Sequence, residues 1–76
     1  MDSIPSNGED IVSWLNHLAT SPDFTILGTD FVNEIRFVQH IHEHKMDIMF
    51  TATFKKGMCQ DLWATGTNES VARVTG

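Results

Sequence analysis

Residues 34–54, EIRFVQHIHEHKMDIMFTATF, decide the fold of this chain. In both halves of the stretch, apolar side chains recur at every second position, and this alternation places them on one face of a sheet. The apolar members of the pattern are Ile35, Phe37, Ile41, Ile48, Phe50 and Phe54. Their β-branched and aromatic character favours a half-buried pleated surface. The stretch therefore predicts two strands joined by a polar turn, with an apolar face that other elements must cover.

A helix over about residues 9–19 is predicted to cover that face. Ser6 and Glu9 have the spacing of a capping box, in which a hydroxyl and a carboxylate three residues later satisfy the first free amides. The helix should end before Pro22, because proline disfavours helical geometry in the preceding residue. Its apolar stripe at helical spacing consists of Ile11, Trp14, Leu15 and Leu18.

Residues 29–44 also fit a helical stripe, and this alternative stays open in the sequence. Phe31, Ile35 and Val38 would lie on one helical face opened by Thr29 or Asp30. We favour a strand because the segment lacks the strong helix formers Ala, Leu and Met and is rich in Ile, Val and Phe.

The remaining segments complete the predicted architecture. Residues 24–27 form a brief strand or an extended connector, residues 55–57 a hairpin turn, and residues 58–64 a third strand or the start of a helix. Residues 70–74 are predicted to be a short last strand. We expect residues 1–8 to be a disordered lead-in to a single small domain over 9–76. The predicted fold class is α+β, with one N-terminal helix packed on a small antiparallel sheet of three to four strands.

Size and charge narrow the classes of function. The chain has 76 residues and a formal charge of −5 at pH 7. An acidic balance argues against nucleic-acid binding, which needs a basic footprint. No apolar run reaches the roughly 18 residues of a membrane span, and the polar N-terminus does not resemble a signal peptide. We expect a cytoplasmic protein whose small core is supported by a protein partner or by a second copy of itself.

The histidine-rich stretch 40–44 offers a candidate metal site. His40 and His42 lie two residues apart, so on a strand their imidazoles could ligate zinc together, with Asp47 or His17 as further ligands. The alternative is a solvated strand end that holds no metal, and the sequence favours it. No cofactor is predicted.

Three residues near the end of the chain are further candidates. Cys59 is the only cysteine, which fits a reducing compartment. It lacks an adjacent base, so the sequence indicates an inert thiol rather than a nucleophile. Met58 and Trp63 are apolar residues that would anchor a partner if they are exposed.

The chain from about residue 9 to residue 64 resembles the first part of the hotdog-fold thioesterases of the phenylacetate-pathway type, and the phrase from residue 50 to residue 60 is its distinguishing feature. Phe50, Ala52, Phe54, Met58 and Cys59 carry the resemblance. It implies that Gln60, which takes the place of the family's polar Asn or Asp, could hydrogen-bond a thioester carbonyl. The family's His-Gly-Gly turn and long central helix have no counterpart here, so the resemblance implies a truncated or diverged form that is not a competent enzyme by itself.

Two functional hypotheses follow from the sequence. The first is a small acidic protein-interaction module, such as an inhibitor or adaptor, without catalysis of its own. The alternative is a truncated or diverged thioesterase-like protein that binds or acts on acyl-thioesters.

Overall fold

A computed structural model describes residues 3–30 and 33–75 of the chain. Its elements follow one another as α1 (Ile11–Thr20), β1 (Phe24–Asp30), β2 (Glu34–Ile41), a 3-10 turn (His42–His44), β3 (Met46–Lys55), β4 (Met58–Gly66) and α2 (Asn68–Thr75). The four strands form one antiparallel sheet in the order β1-β2-β3-β4. The fold is therefore α+β, with helix packed on an antiparallel sheet.

The β2–β3 hairpin is the predicted centre of the sheet. Its register places Ile35 opposite Ala52 and Phe37 opposite Phe50, so the alternating apolar residues share one face. The strand prediction for residues 34–41 is confirmed, and the helical alternative for this stretch is wrong. Phe31, which the alternative also invoked, lies outside the described residues.

Helix α1 closes the core on this first face of the sheet. The Trp14 indole is fully buried and meets the rings of Phe37 and Phe54 edge to face, with centroids 6.0 and 5.6 Å apart. Such aromatic pairs add to the free energy gained from burial alone. Ile35 is also buried, whereas Phe50 is partly buried and packs against the same cluster. Ile41 and Ile48, expected on the same face, are only half-buried.

The turn between β3 and β4 is the predicted one at residues 55–57. Lys56 and Gly57 have φ values of 54° and 80°. A two-residue hairpin turn of the type that matches strand twist needs positive φ at both positions, and glycine adopts it without steric cost. The strand alternative for the segment that follows is confirmed, since β4 runs from Met58 to Gly66.

The prediction of a last strand over residues 70–74 is wrong, because this segment belongs to helix α2. Glu69 and Arg73 form an ion pair of 3.4 Å across one helical turn. Val71 is buried, and Val74 lies three residues further along the same helix. Helix α2 contacts β3 and β4. The described residues therefore form two α-helices where one was expected.

The start of α1 differs in detail from its prediction. Asp10, rather than Ser6, caps the helix by accepting a hydrogen bond of 2.8 Å from the Ser13 amide. The predicted partners still meet, since the Ser6 amide donates to the Glu9 carboxylate at 3.2 Å. Within the expected lead-in 1–8, the described part lies against the core, where the Trp14 indole N–H donates to the Ser6 carbonyl at 3.4 Å.

Candidate functional sites

His40 links three neighbouring strands through its two ring nitrogens. Nδ1 lies 2.8 Å from Oδ1 of Asp47 on β3, and Nε2 lies 2.7 Å from Oγ1 of Thr25 on β1. The antiparallel register produces this row, because it places Thr25 beside Val38 and His40 opposite Asp47. From the sequence, Asp47 is predicted only as a possible metal ligand, and no role is predicted for Thr25. Their relation to His40 depends on the strand register, which the sequence alone does not supply.

His42 is held by a different carboxylate. Its Nε2 lies 3.2 Å from Oδ1 of Asp23, and its ring centroid lies 6.2 Å from that of His40. The two rings border a cavity of about 280 Å³ at the end of the β2–β3 hairpin, which Lys45 and Asp47 also line. The sequence predicted that the two imidazoles would lie close together.

The geometry of these histidines bears directly on metal binding. A zinc ligand must offer a free nitrogen lone pair, whereas both ring nitrogens of His40 already lie within hydrogen-bond distance of Asp47 and Thr25. Residues 3–30 and 33–75 contain no group of three His, Cys, Asp or Glu side chains placed to hold a metal ion. His17 lies on α1 with its ring against Phe24, at a centroid distance of 5.9 Å. The zinc hypothesis for His40 and His42 remains a prediction from the sequence.

The thiol of Cys59 is enclosed at the start of β4. It is 2% exposed and donates a weak hydrogen bond to Oδ1 of Asn7 at 3.5 Å. Burial raises the pKa of the Cys59 thiol, and the carboxylates of Asp61 and Glu9 raise it further. Because the thiolate is the reactive form, these surroundings suppress nucleophilic chemistry at neutral pH.

The candidate interface residues Met58 and Trp63 both lie on β4 and are 40% and 45% exposed. Gln60, the candidate for thioester binding, lies between them and is also exposed. Its side-chain amide donates to the Met58 carbonyl at 3.5 Å. These three residues therefore occupy one edge strand of the sheet.

The sheet has a second face with buried residues, for which the sequence makes no prediction. Val38 is fully buried there, and α2 covers part of that face with the buried Val71. A groove of about 380 Å³ remains, lined by Leu27, Arg36, Met49, Thr51, Thr65 and Val74. The alternation in β2 and β3 gave a partial signal, because Val38 and Met49 are apolar residues that fall on the face opposite Ile35 and Phe37.

Comparison with known proteins finds no match among protein-family models, curated proteins or solved structures. The resemblance to hotdog-fold thioesterases therefore remains a prediction. Among the residues that the structure describes, neither helix has the length and apolar character needed to cross a membrane.

Proposed function

We propose that this chain is a small acidic protein-interaction module, an inhibitor or adaptor, that presents the outer edge of β4 to an extended segment of a partner protein. The observation that carries the proposal is the exposure of this edge strand. Gln60, Asp61, Trp63, Ala64 and Thr65 are all exposed. The strand order leaves β4 at the margin of the sheet.

Among the residues that the structure describes, the chain covers only the first part of this edge. The Gly8 amide donates to the Cys59 carbonyl at 2.9 Å, and the Cys59 amide donates to the Glu9 carbonyl at 2.9 Å. From Gln60 to Gly66, the sheet has no further strand among the described residues. This pairing within the chain supports the idea that a partner strand adds to β4, and it ends before the exposed Trp63.

The composition of the open edge supports pairing with a partner. Natural edge strands are commonly protected by lysine, proline or a bulge that turns them away. Residues 60–66 contain neither lysine nor proline, and Asp61 is their only charged residue. Two irregularities interrupt the pairing of β4, one at Gln60 near the covered end and one at Thr65 near the end of the strand, and the residues from Asp61 to Ala64 between them pair regularly with β3. In such strand addition, backbone hydrogen bonds supply affinity and side chains such as Trp63 supply selectivity.

Site-specific photocrosslinking in host lysate tests this function. A benzophenone amino acid at Gln60 should capture a defined partner, whereas the same group at Val12, which is 61% exposed on α1, should not. Adding Ala64→Lys should abolish capture from position 60, because the charge protects the edge. Equal capture from both positions, or capture unaffected by Ala64→Lys, would contradict the proposal.

Acyl-thioester binding remains the alternative that the sequence resemblance predicts. A panel of acyl-CoA substrates with the wild-type chain and with Gln60→Ala tests it. Hydrolysis or calorimetric binding that depends on Gln60 would favour the alternative over the interaction module. A flat rate and no heat of binding would leave it without support.

A further inference from the structure

The groove on the second face combines apolar walls with a single cation. Leu27, Met49 and Val74 contribute apolar surface, and Arg36 contributes a guanidinium. Val74 is 56% exposed, although it points an aliphatic side chain into a concave site. A volume of about 380 Å³ is at the lower end of the range for small-molecule sites. Of the residues that line this groove, Thr65 lies on β4, and the others belong to β1, β2, β3 and α2.

Arg36 is placed in the groove by a glycine on the neighbouring strand. The register sets Gly28 opposite Arg36, next to an irregularity between Ile26 and Gly28. A Cβ atom at Gly28 would lie 3.0 Å from Nη2 of Arg36. The missing side chain therefore leaves the space across which the guanidinium lies.

The guanidinium retains donors for a ligand. Among the described residues, its ionic contact is with Glu34, whose carboxylate lies 3.5 Å from Nε. That contact is exposed, so it is weak and screened by salt. A guanidinium has five N–H donors, and the two Nη groups are suited to a bidentate pair with a carboxylate.

Two threonines add polar groups beside the cation. Thr51 is the cross-strand neighbour of Arg36 and is almost completely buried. The Thr65 hydroxyl donates to the Met49 carbonyl at 3.3 Å, so its oxygen keeps lone pairs that can accept a hydrogen bond. The groove thus offers few polar groups near Arg36 and apolar surface elsewhere.

We infer that this groove binds a small monocarboxylate with an aliphatic tail, whose carboxylate pairs with Arg36 and whose tail lies along Leu27, Met49 and Val74. The charge pattern favours one negative charge. A lone arginine beside Glu34, in a chain with a net charge of −5, disfavours a multiply charged phosphate. The aliphatic tail would cover the exposed side chain of Val74 and remove apolar surface from water.

Calorimetric titration with octanoate tests this inference. We expect saturable binding with a dissociation constant on the order of 0.1–1 mM, as befits a ligand of this size. Acetate lacks the tail and 1-octanol lacks the carboxylate, so each should bind at least about tenfold more weakly. No saturable octanoate binding, or equal binding of 1-octanol, would overturn the inference.

Variants at two arginines separate the pairing from a general effect of charge. Arg36→Gln should weaken octanoate binding by about tenfold or more, the usual scale for losing one charge-assisted contact. Arg73→Gln removes the same charge from an exposed site on α2 and should leave affinity unchanged within about twofold. Circular dichroism of both variants establishes that they are folded. Equal affinity of wild type and Arg36→Gln would refute the role of Arg36.

Methionine methyl signals locate the ligand. With methyl-labelled methionine, octanoate should shift the resonance of Met49, which lines the groove, and leave that of Met58 on β4 unchanged. Gly28→Ala would place a methyl group 3.0 Å from Nη2 of Arg36, so the guanidinium must shift slightly, and we expect a modest loss of affinity. Shifts at Met58 without a shift at Met49 would place the ligand elsewhere and end the inference, without bearing on the partner edge.

Discussion

His40 Nδ1 lies 2.8 Å from the Asp47 carboxylate, directly across the β2–β3 pair. Both side chains are partly exposed, at 28% and 42%. With Thr25 on the other side of the imidazole, the contact connects three strands through side chains rather than backbone. The hydroxyl–imidazole–carboxylate order is also the one that hydrolases use to activate a nucleophile. Here we assign it the role of a cross-strand link.

The strength of this link can be measured with a double-mutant cycle. Because both partners are partly exposed, we expect His40→Ala and Asp47→Ala to show a coupling of about 0.5 kcal/mol in the free energy of unfolding. Urea denaturation of the two single variants and the double variant measures the coupling. A value of zero would show that the 2.8 Å contact has no energetic role.

Zinc titration decides between the two interpretations of the histidine stretch. Since His40 and His42 each lie against a carboxylate, we expect no saturable heat with zinc at micromolar concentration. Saturable heat that disappears in both His40→Ala and His42→Ala would instead establish the metal site.

Replacing each of the two tryptophans by alanine compares the stability lost at a buried and at an exposed site. Trp14 is fully buried between Phe37 and Phe54, so Trp14→Ala should destabilise the fold by about 3–5 kcal/mol, enough to unfold many domains of this size. Trp63 is 45% exposed, and Trp63→Ala should cost about 1 kcal/mol or less. Thermal denaturation of both variants compares them. Similar losses would mean that Trp63 belongs to the core.

Asn68 should be a key contact of α2. Its Oδ1 accepts from the Asp47 amide at 2.6 Å, and its Nδ2 donates to the Lys45 carbonyl at 3.3 Å. Asn68→Ala should therefore cost about 1–2 kcal/mol. Asn68→Asp keeps the acceptor for the Asp47 amide and loses the donor, and we expect an intermediate cost. Hydrogen exchange of α2 amides reports the effect. Unchanged protection in Asn68→Ala would contradict it.

The raised pKa of the Cys59 thiol predicts that this group lowers the free energy of unfolding at alkaline pH. Because the thiol's pKa is raised in the folded state, the unfolded chain loses its proton first. The contribution of the thiol is fully present below its pKa in the unfolded chain and is lost as pH rises through its higher pKa in the folded state. Urea denaturation between about pH 7 and pH 9.5 should show this decline in wild type and a smaller one in Cys59→Ala. Identical slopes would mean that the thiol is not protected.

The sequence predicted the first face of the sheet because its signals are local. Alternation in residues 34–54 defines the apolar face of a sheet, and the spacing of Trp14 and Leu18 defines the apolar face of a helix. Packing the helix on the sheet buries both faces, so their contact can be predicted from these two patterns. The turn at Lys56 and Gly57 has its own chemical signature, so it too could be predicted.

The prediction of α2 failed because two signals conflict within a few residues. Val71 is β-branched and favours a strand, but Val71 and Val74 lie three residues apart, and Glu69 and Arg73 four, as in a helix. Contact with the second face of the sheet settles the conflict. Neither the groove around Arg36 nor the link through Thr25 could be predicted, since both depend on which residues the register makes neighbours.

Each strand of this sheet after β1 pairs with the strand that precedes it in the sequence. In a chain with this connectivity, each strand can pair with its neighbour as soon as both have been synthesised. Such nearest-neighbour topologies tend to fold quickly, because little loop entropy is lost before contacts form. We therefore expect rapid refolding of this chain once denaturant is removed.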